Sequence, residues 1–232
     1  MDVRKDLIHY LPEGIISQSH LIGLRGSATV YMDITDLDEI DLLIVSDTLT
    51  SDEFQEQTAE LQETAEIELD VQVISLTEFK ALFRRASLEV TEALTNLIMY
   101  DEGLINPYLE VLATEAYEQL FELECYLVLK NQIKQIYKSR PSKFYSKAYY
   151  LYSLLLDEGS SCLECYIYPQ KRQRHAKVYQ EIRSYGVVDL KILTEMGAYR
   201  DNREIKEHYM KYKQPAQQTI DELLVQYEIN ID

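Results

Sequence analysis

The sequence predicts an α+β fold, with a small α/β sheet domain over residues 1–86 followed by an all-α helical bundle domain over residues 87–232. Strand patterns are concentrated in the first segment, whereas helical periodicity dominates from Leu76 onward. The chain has only 7 glycines and 5 prolines among 232 residues, so most of it should be regular structure with short connections. This length suits one large domain or two small ones, and the change of pattern favours two.

The first domain is predicted from strands and helices that alternate along a short stretch. The strands are 21–25 (LIGLR), 39–47 (EIDLLIVSD) and 68–75 (ELDVQVIS), and the helices are 3–11 and 51–65. The second strand is apolar on both faces at its centre, which is typical of a strand buried within a sheet. The third alternates apolar and polar residues, as a strand with one polar face does. This order of elements predicts a small α/β unit.

The remainder of the chain is predicted to be helical. Helices are expected at 76–86, 87–99, 107–138, 141–159, 169–184 and 187–197, with a last helix from Asp201 that breaks or kinks at Pro215. The long helix at 107–138 has two interpretations: it packs inside its own chain, or it pairs with a second copy to form a homodimer. The sequence alone leaves both open.

The overall charge is strongly acidic. The 40 Asp and Glu residues against 23 Lys and Arg give a net charge of −17 and a pI near 4.6. Such a surface repels phosphate backbones, which argues against a nucleic-acid partner. No stretch approaches the ~20 apolar residues of a membrane span, and the N-terminus has no signal-peptide pattern. Because three cysteines form no disulfide framework, we expect reduced thiols and a cytoplasmic protein without a membrane partner.

One segment has the opposite charge. Residues 130–183 contain eleven Lys and Arg residues but four Asp and Glu. A solvated helical surface explains this pattern. A basic wall that faces a polyphosphate or an acidic partner explains it equally well, and both interpretations stay open.

The segment from Leu24 to Asp47 carries the most informative motif. A short strand leads into Gly26-Ser27, and Glu39 and Asp41 then stand two apart at the start of the buried strand. Residues two apart in a strand point to the same face, so the two carboxylates leave the sheet together. Asp70, on the polar face of the next strand, could flank the same point. Carboxylates held side by side are costly unless a cation neutralises them, and a hard cation such as Mg²⁺ or Mn²⁺ suits oxygen ligands.

This arrangement resembles the nucleotidyltransferase superfamily that includes DNA polymerase beta. The shared pattern is a Gly-Ser pair, about a dozen residues, an acid–apolar–acid triplet that opens an apolar strand, and a further acid on a later strand. The chain is most similar to the small prokaryotic members, namely antibiotic nucleotidyltransferases and the minimal nucleotidyltransferases paired with toxins. The resemblance covers residues 20–75, and the helical remainder is similar only in kind.

The resemblance implies a role for each motif residue. Glu39 and Asp41 would bind a pair of metal ions, and Asp70 would complete the metal site and act as the base. Gly26 and Ser27 would hold the phosphates of the nucleotide. Glu39 stands where the family usually has Asp, one methylene shorter.

The appended helices of this family often supply a cation to the triphosphate. Lys143 and Lys147 lie four residues apart on one helical face, so they are the candidates for that contact. An ordinary solvated face explains the same spacing, and this alternative stays open.

Two functions from different classes follow from the motif. The first is a Mg²⁺-dependent nucleotidyltransferase that moves a nucleoside monophosphate, AMP from ATP, to a hydroxyl of a small molecule or a protein. The acidic surface favours a cationic acceptor, with aminoglycoside-like antibiotics as one class. The second is a catalytically degenerate module of the same fold that binds a partner protein, as an acidic antitoxin binds a basic toxin.

A second motif, Cys162-x-x-Cys165, is weaker. A structural zinc site wants four ligands, and only Cys125 and the histidines could complete one, at spacings that match no known zinc finger. The four histidines share no spacing with one another or with a nucleophile, so the sequence predicts no Ser-His-Asp arrangement.

Overall fold

The structure of the chain is a computed structural model that describes residues 7–25, 39–139, 142–168, 171, 175 and 188–227. It divides into two compact units. The first comprises Met1–Glu110 with Tyr227–Asp232, and the second comprises Val111–Gln226. The two units are described separately below.

The first unit contains one mixed four-stranded sheet and its helices. After a 3₁₀ turn at Leu7–His9, the elements are α1 (Glu13–Ser17), β1 (Leu21–Arg25), β2 (Glu39–Val45), α2 (Ser51–Ala65), β3 (Glu68–Ile74), α3 (Leu76–Phe83), α4 (Leu88–Thr95), β4 (Ile98–Asp101) and the start of α5 (Asn106–Leu112). The strand order is β3-β2-β1-β4. β2 pairs parallel with β3, whereas β1 pairs antiparallel with both β2 and β4. β2 is therefore an internal strand, as its apolar centre predicts.

The two faces of the sheet are covered differently. On one face, alternate apolar residues of β1, β2 and β3 pack into a core with α2 and the N-terminal turns; its members include Ile22, Ile40, Leu42, Ile44, Phe54 and Leu69. On the other face, α4 packs against β1 and β2. The contact is close, because an added Cβ at Gly23 would lie 3.1 Å from the carbonyl oxygen of Ala93. The acids of β2 and β3 lie on this second face, where Asp41 pairs with Asp70.

The prediction of a helix over residues 87–99 is wrong at its C-terminal end. α4 stops at Thr95, and Ile98–Asp101 form β4, which pairs with β1 through Leu21↔Asp101 and Ile22↔Tyr100. Periodicity alone cannot separate a short apolar run in a helix from one in a strand, and the pairing with β1 decides here. The first unit therefore extends beyond residue 86, where the sequence places the end of the α/β domain.

The bounds of α2, Ser51–Ala65, agree with the predicted helix at 51–65. Its N-cap is Thr50, the residue before Ser51. Its hydroxyl accepts a hydrogen bond from the Glu53 amide at 3.2 Å, and the Glu53 carboxylate accepts one from the Thr50 amide at 2.9 Å. This reciprocal capping box satisfies two amides of the first turn. The hydrogen bonds that the Thr50 hydroxyl and then the Thr50 amide donate to the Glu53 carboxylate lower the pKa of Glu53.

Within the described residues, the second unit is entirely helical. Its elements are the end of α5, α6 (Glu115–Ser139), α7 (Ser142–Leu155), α8 (Cys162–Ile167), α9 (Leu190–Asp201) and α10 (Arg203–Gln226). α6 packs against α7, α8, α9 and α10 and so forms the centre of this unit. The predicted helix at 169–184 lies almost wholly outside the described residues.

The single predicted helix over 107–138 is two helices. Thr114 separates them, because its hydroxyl donates to the Val111 carbonyl at 2.6 Å and accepts from the Tyr117 amide at 3.3 Å, which caps α6. α10 continues through Pro215, so the predicted break does not occur, and the alternative of a kink there stays a prediction. Tyr209 and Ile220 lie on either side of that proline along the helix and are buried, and burial of a helix face offsets the loss of one backbone hydrogen bond.

The coarse fold class is confirmed: the chain is α+β, with a mixed sheet in one unit and helices in both. Among the described residues, no helix combines the length and the apolar character needed to cross a membrane.

Tyr108 provides a test of the packing in the first unit. Its ring is 1% exposed and packs edge-on against Phe79 and Phe83, with centroid distances of 5.0 and 4.8 Å. Among the described residues its hydroxyl has no hydrogen-bond partner, and burial raises the pKa of Tyr108 to about 12. Removing a buried, unpaired hydroxyl relieves its desolvation cost, so Tyr108→Phe should raise the free energy of unfolding by ~1 kcal/mol.

The matched control is Tyr126→Phe, measured by urea unfolding under the same conditions. The Tyr126 hydroxyl donates to the Arg200 carbonyl at 2.6 Å, so its loss should lower the free energy of unfolding by ~1 kcal/mol. A destabilised Tyr108→Phe variant would show that the hydroxyl has a partner and would contradict the packing described here.

Candidate metal centre

Three carboxylates meet on one face of the sheet. Asp41 of β2 is the direct partner of Asp70 in the parallel pairing with β3, and Glu39 lies two residues before Asp41. Partners in register, and residues two apart in a strand, point to the same face. One carboxylate oxygen from each of the three residues lies within 4.8 Å of the others. The structure therefore brings together all three acids that the sequence selects.

The alternation of the strands explains why the acids point away from the core. Ile40 and Leu42 flank Asp41 in β2, and both are fully buried on the opposite face. Leu69 has the same relation to Asp70 in β3. Glu39 and Asp41 are half-buried, while the Asp70 side chain is 53% exposed. The cluster is therefore partly buried at Glu39 and Asp41 and open to solutes at Asp70.

Arg25 is a fourth charged member of this site, and it was not selected from the sequence. It ends β1 directly opposite Asp41, and its Nη2 lies 3.5 Å from Oδ2 of Asp70. Its Nη1 donates to Oε1 of Gln72 at 2.9 Å, and its Nε donates to the Leu42 carbonyl at 3.2 Å. With 18% of its side chain exposed, the guanidinium is held at the edge of the cluster as a built-in counter-ion.

A signal for Arg25 is present in the sequence. It is the last residue of LIGLR, immediately before Gly26, and antiparallel pairing of the first two strands would have placed it beside the acids of the second. The strand pairing, rather than any motif, carries that information.

The geometry suits oxygen-ligated divalent cations. Two oxygens bound to one Mg²⁺ lie at most about 4.2 Å apart, twice the usual Mg–O distance, and two ions in a paired site lie about 3.5–4 Å apart. Ligand atoms within 4.8 Å of one another therefore need only small side-chain rotations to share one ion or a pair.

The other predicted site residues are not placed at this cluster. Gly26 and Ser27 lie outside the described residues, and so does the side chain of Lys143. Lys147 is half-buried on α7, within the second compact unit. The contacts of these residues with a nucleotide stay predictions.

Comparison with known proteins does not assign the cluster to a family: no family model, no curated protein and no solved structure matches this chain. The features that bear on its function are the side chains themselves. These are the oxygen ligands of Glu39, Asp41 and Asp70, and the cation of Arg25 beside them.

Proposed function

We propose that this chain is a Mg²⁺-dependent nucleotidyltransferase, which transfers AMP from ATP to a hydroxyl group of a small molecule or a protein. The observation that carries the proposal is the convergence of Glu39, Asp41 and Asp70 within 4.8 Å on a partly exposed face of the sheet. The order of these acids along the chain, and their resemblance to the nucleotidyltransferase motif, add to it.

Each carboxylate has a separate task in this proposal. Glu39 and Asp41 hold the metal, since the sheet fixes their backbones and both residues are partly buried. Asp70, the most exposed of the three, accepts the proton of the acceptor hydroxyl, whose oxygen then attacks the α-phosphorus of the nucleotide. The bond from that phosphorus to the bridging oxygen breaks, and pyrophosphate leaves. Bound Mg²⁺ supplies charge neutralisation and alignment of the phosphates.

Charge favours a cationic acceptor. The net charge of −17 repels RNA and other polyanions. Amine-rich hydroxyl compounds, of which aminoglycosides are one class, would instead be attracted to the surface. ATP carries its own negative charge, so the metal ions and basic side chains must offset this repulsion for the nucleotide.

Arg25 favours a second candidate function. The guanidinium of Arg25 already pairs with Asp70, so the carboxylate cluster needs a metal ion less for charge neutralisation. This is what we expect of a catalytically degenerate module. Such a module would use its acidic surface to bind a basic partner protein. The two functions differ in one measurable property, because only the enzyme requires a divalent cation at the carboxylates.

Catalysis is tested with α-labelled ATP, Mg²⁺ and a panel of aminoglycosides and candidate proteins. We expect labelled product and pyrophosphate, and we expect Asp41→Asn to lower kcat by about 10²-fold or more, because the metal ligand is lost. The control Glu63→Gln removes one charge from an exposed position on α2 and should leave the rate unchanged. Absence of pyrophosphate release with every acceptor, from a folded protein, would reject the enzymatic proposal.

Metal binding is tested separately with Mn²⁺ by calorimetry or electron paramagnetic resonance, without nucleotide. Arg25→Gln removes the competing cation, so Mn²⁺ should bind about threefold to tenfold more tightly, and the metal-free protein should lose stability. Asp41→Asn should weaken binding.

The control for this experiment is Arg203→Gln, which removes an exposed arginine paired with Glu207 on α10 and should leave Mn²⁺ affinity unchanged. If the wild type and Arg25→Gln both fail to bind Mn²⁺, the degenerate binding module becomes the better interpretation.

A further inference from the structure

A second group of potential metal ligands lies within the helical unit, and its donors differ from those of the carboxylate cluster. Asp157, Cys165 and His175 each offer one ligand atom, and these oxygen, sulfur and nitrogen atoms lie within 4.8 Å of one another. Nε2 of His175 is 2.9 Å from Oδ2 of Asp157. The group is buried: Cys165 is 0% and His175 8% exposed, and the Asp157 side chain is 4% exposed.

Neighbouring hydrogen bonds orient two of the three ligands. The second oxygen of Asp157, Oδ1, accepts from the Gly159 amide at 2.9 Å, which turns Oδ2 toward the histidine. The second ring nitrogen of His175, Nδ1, lies 2.9 Å from the Ser153 hydroxyl. Metal-binding histidines and carboxylates are commonly held in this way through the atom that does not bind the metal.

The third ligand is fixed by a short helix. Cys165 lies in α8, which begins at a capping box between Ser161 and Glu164. Lys171 forms an ion pair with Glu164 at 2.7 Å on the exposed side of this turn. The helix start is therefore well determined, and it faces Cys165 inward.

We propose that Asp157, Cys165 and His175 bind one divalent transition-metal ion, of which Zn²⁺ is the expected occupant. Thiolate and imidazole ligands select Zn²⁺ and related ions rather than Mg²⁺. Three protein ligands leave one position of a tetrahedron for a water molecule. Neighbouring ligand atoms in such a site lie about 3.3–3.7 Å apart, as the usual Zn–N, Zn–O and Zn–S distances require. The Asp157–His175 pair, at 2.9 Å, needs to open by a few tenths of an ångström, and the sulfur of Cys165 lies within 4.8 Å of both partners.

A buried His–Asp ion pair without metal is the competing explanation, and the thiol distinguishes the two. Such a pair needs no cysteine beside it. The sulfur of the fully buried Cys165 lies within 4.8 Å of both the Asp157 oxygen and the His175 nitrogen, so the group contains the soft donor that a transition-metal ion selects.

The two cysteines of the C-x-x-C motif do not act as one unit. Burial, followed by a hydrogen bond with the Cys162 thiol, raises the pKa of Cys125. Only Cys165 joins the aspartate and the histidine. Cys162 therefore serves as a matched control, three residues away on the same helix.

The test uses the full chain after removal of metal with a chelator, followed by titration with Zn²⁺ and Co²⁺. We expect one equivalent of Zn²⁺ to bind and to raise the Tm, with no such effect from Mg²⁺ at this site. Co²⁺ should produce the sulfur-to-cobalt charge-transfer band in the near ultraviolet. Cys165→Ser should abolish this band and weaken Zn²⁺ binding by about 100-fold, whereas Cys162→Ser should retain both.

Two results would overturn the proposal. One is a wild-type Co²⁺ spectrum without a thiolate band, a measurement that needs no variant to fold. The other is a thiolate band that is lost in Cys162→Ser but kept in Cys165→Ser. Should Cys165→Ser fail to fold, Asp157→Asn replaces it and should weaken Co²⁺ binding while the thiolate band remains at saturation. None of these measurements requires nucleotide, so they are independent of nucleotidyl transfer.

Discussion

The candidate metal centre depends on the register between β2 and β3. Because these strands run parallel and Asp41 faces Asp70, two carboxylates from positions 29 residues apart meet on one side of the sheet. A shift of one residue would send Asp70 to the core face and bring Leu69 into the acidic cluster. The buried residues Ile40, Leu42 and Leu69 prevent such a shift, since each would lose its place in the core. The hydrophobic core thus fixes the chemistry on the opposite face.

Charge balance is the second constraint. Three carboxylates within 4.8 Å repel one another, and Arg25 is the charge of opposite sign that the structure places beside them. The same residue therefore has two consequences: it stabilises the cluster without a metal, and it competes with any cation that approaches Asp70. This competition separates the enzymatic proposal from the binding-module proposal, because an enzyme must displace or share the guanidinium whereas a binding module has no reason to.

The elements that sequence reasoning predicts best are those with a clear local period. β1 is found at the predicted 21–25, and the starts of β2 and β3 agree with the prediction. The sequence does not predict β4, because the pattern of its four residues is also compatible with a helix. Only their pairing with β1 identifies them as a strand. Arg25 was missed for the same reason, since its place opposite Asp41 depends on antiparallel pairing. Local spacing predicts Glu39 and Asp41 together, but only long-range pairing adds Arg25.

In the helical unit, sequence spacing also fails to predict which residues lie together. The C-x-x-C spacing directs attention to Cys162 and Cys165 as a pair, and a search among cysteines and histidines finds no zinc pattern. The structure divides the pair, since Cys162 contacts Cys125 and Cys165 lies beside Asp157 and His175. Carboxylates also bind Zn²⁺, and Asp157, two residues after the end of α7, stands at no spacing from Cys165 that marks it as a ligand. In a chain of net charge −17, repulsion between negative groups opposes the compact state. A cation bound at the carboxylate cluster, or at Asp157, Cys165 and His175, would reduce this repulsion locally.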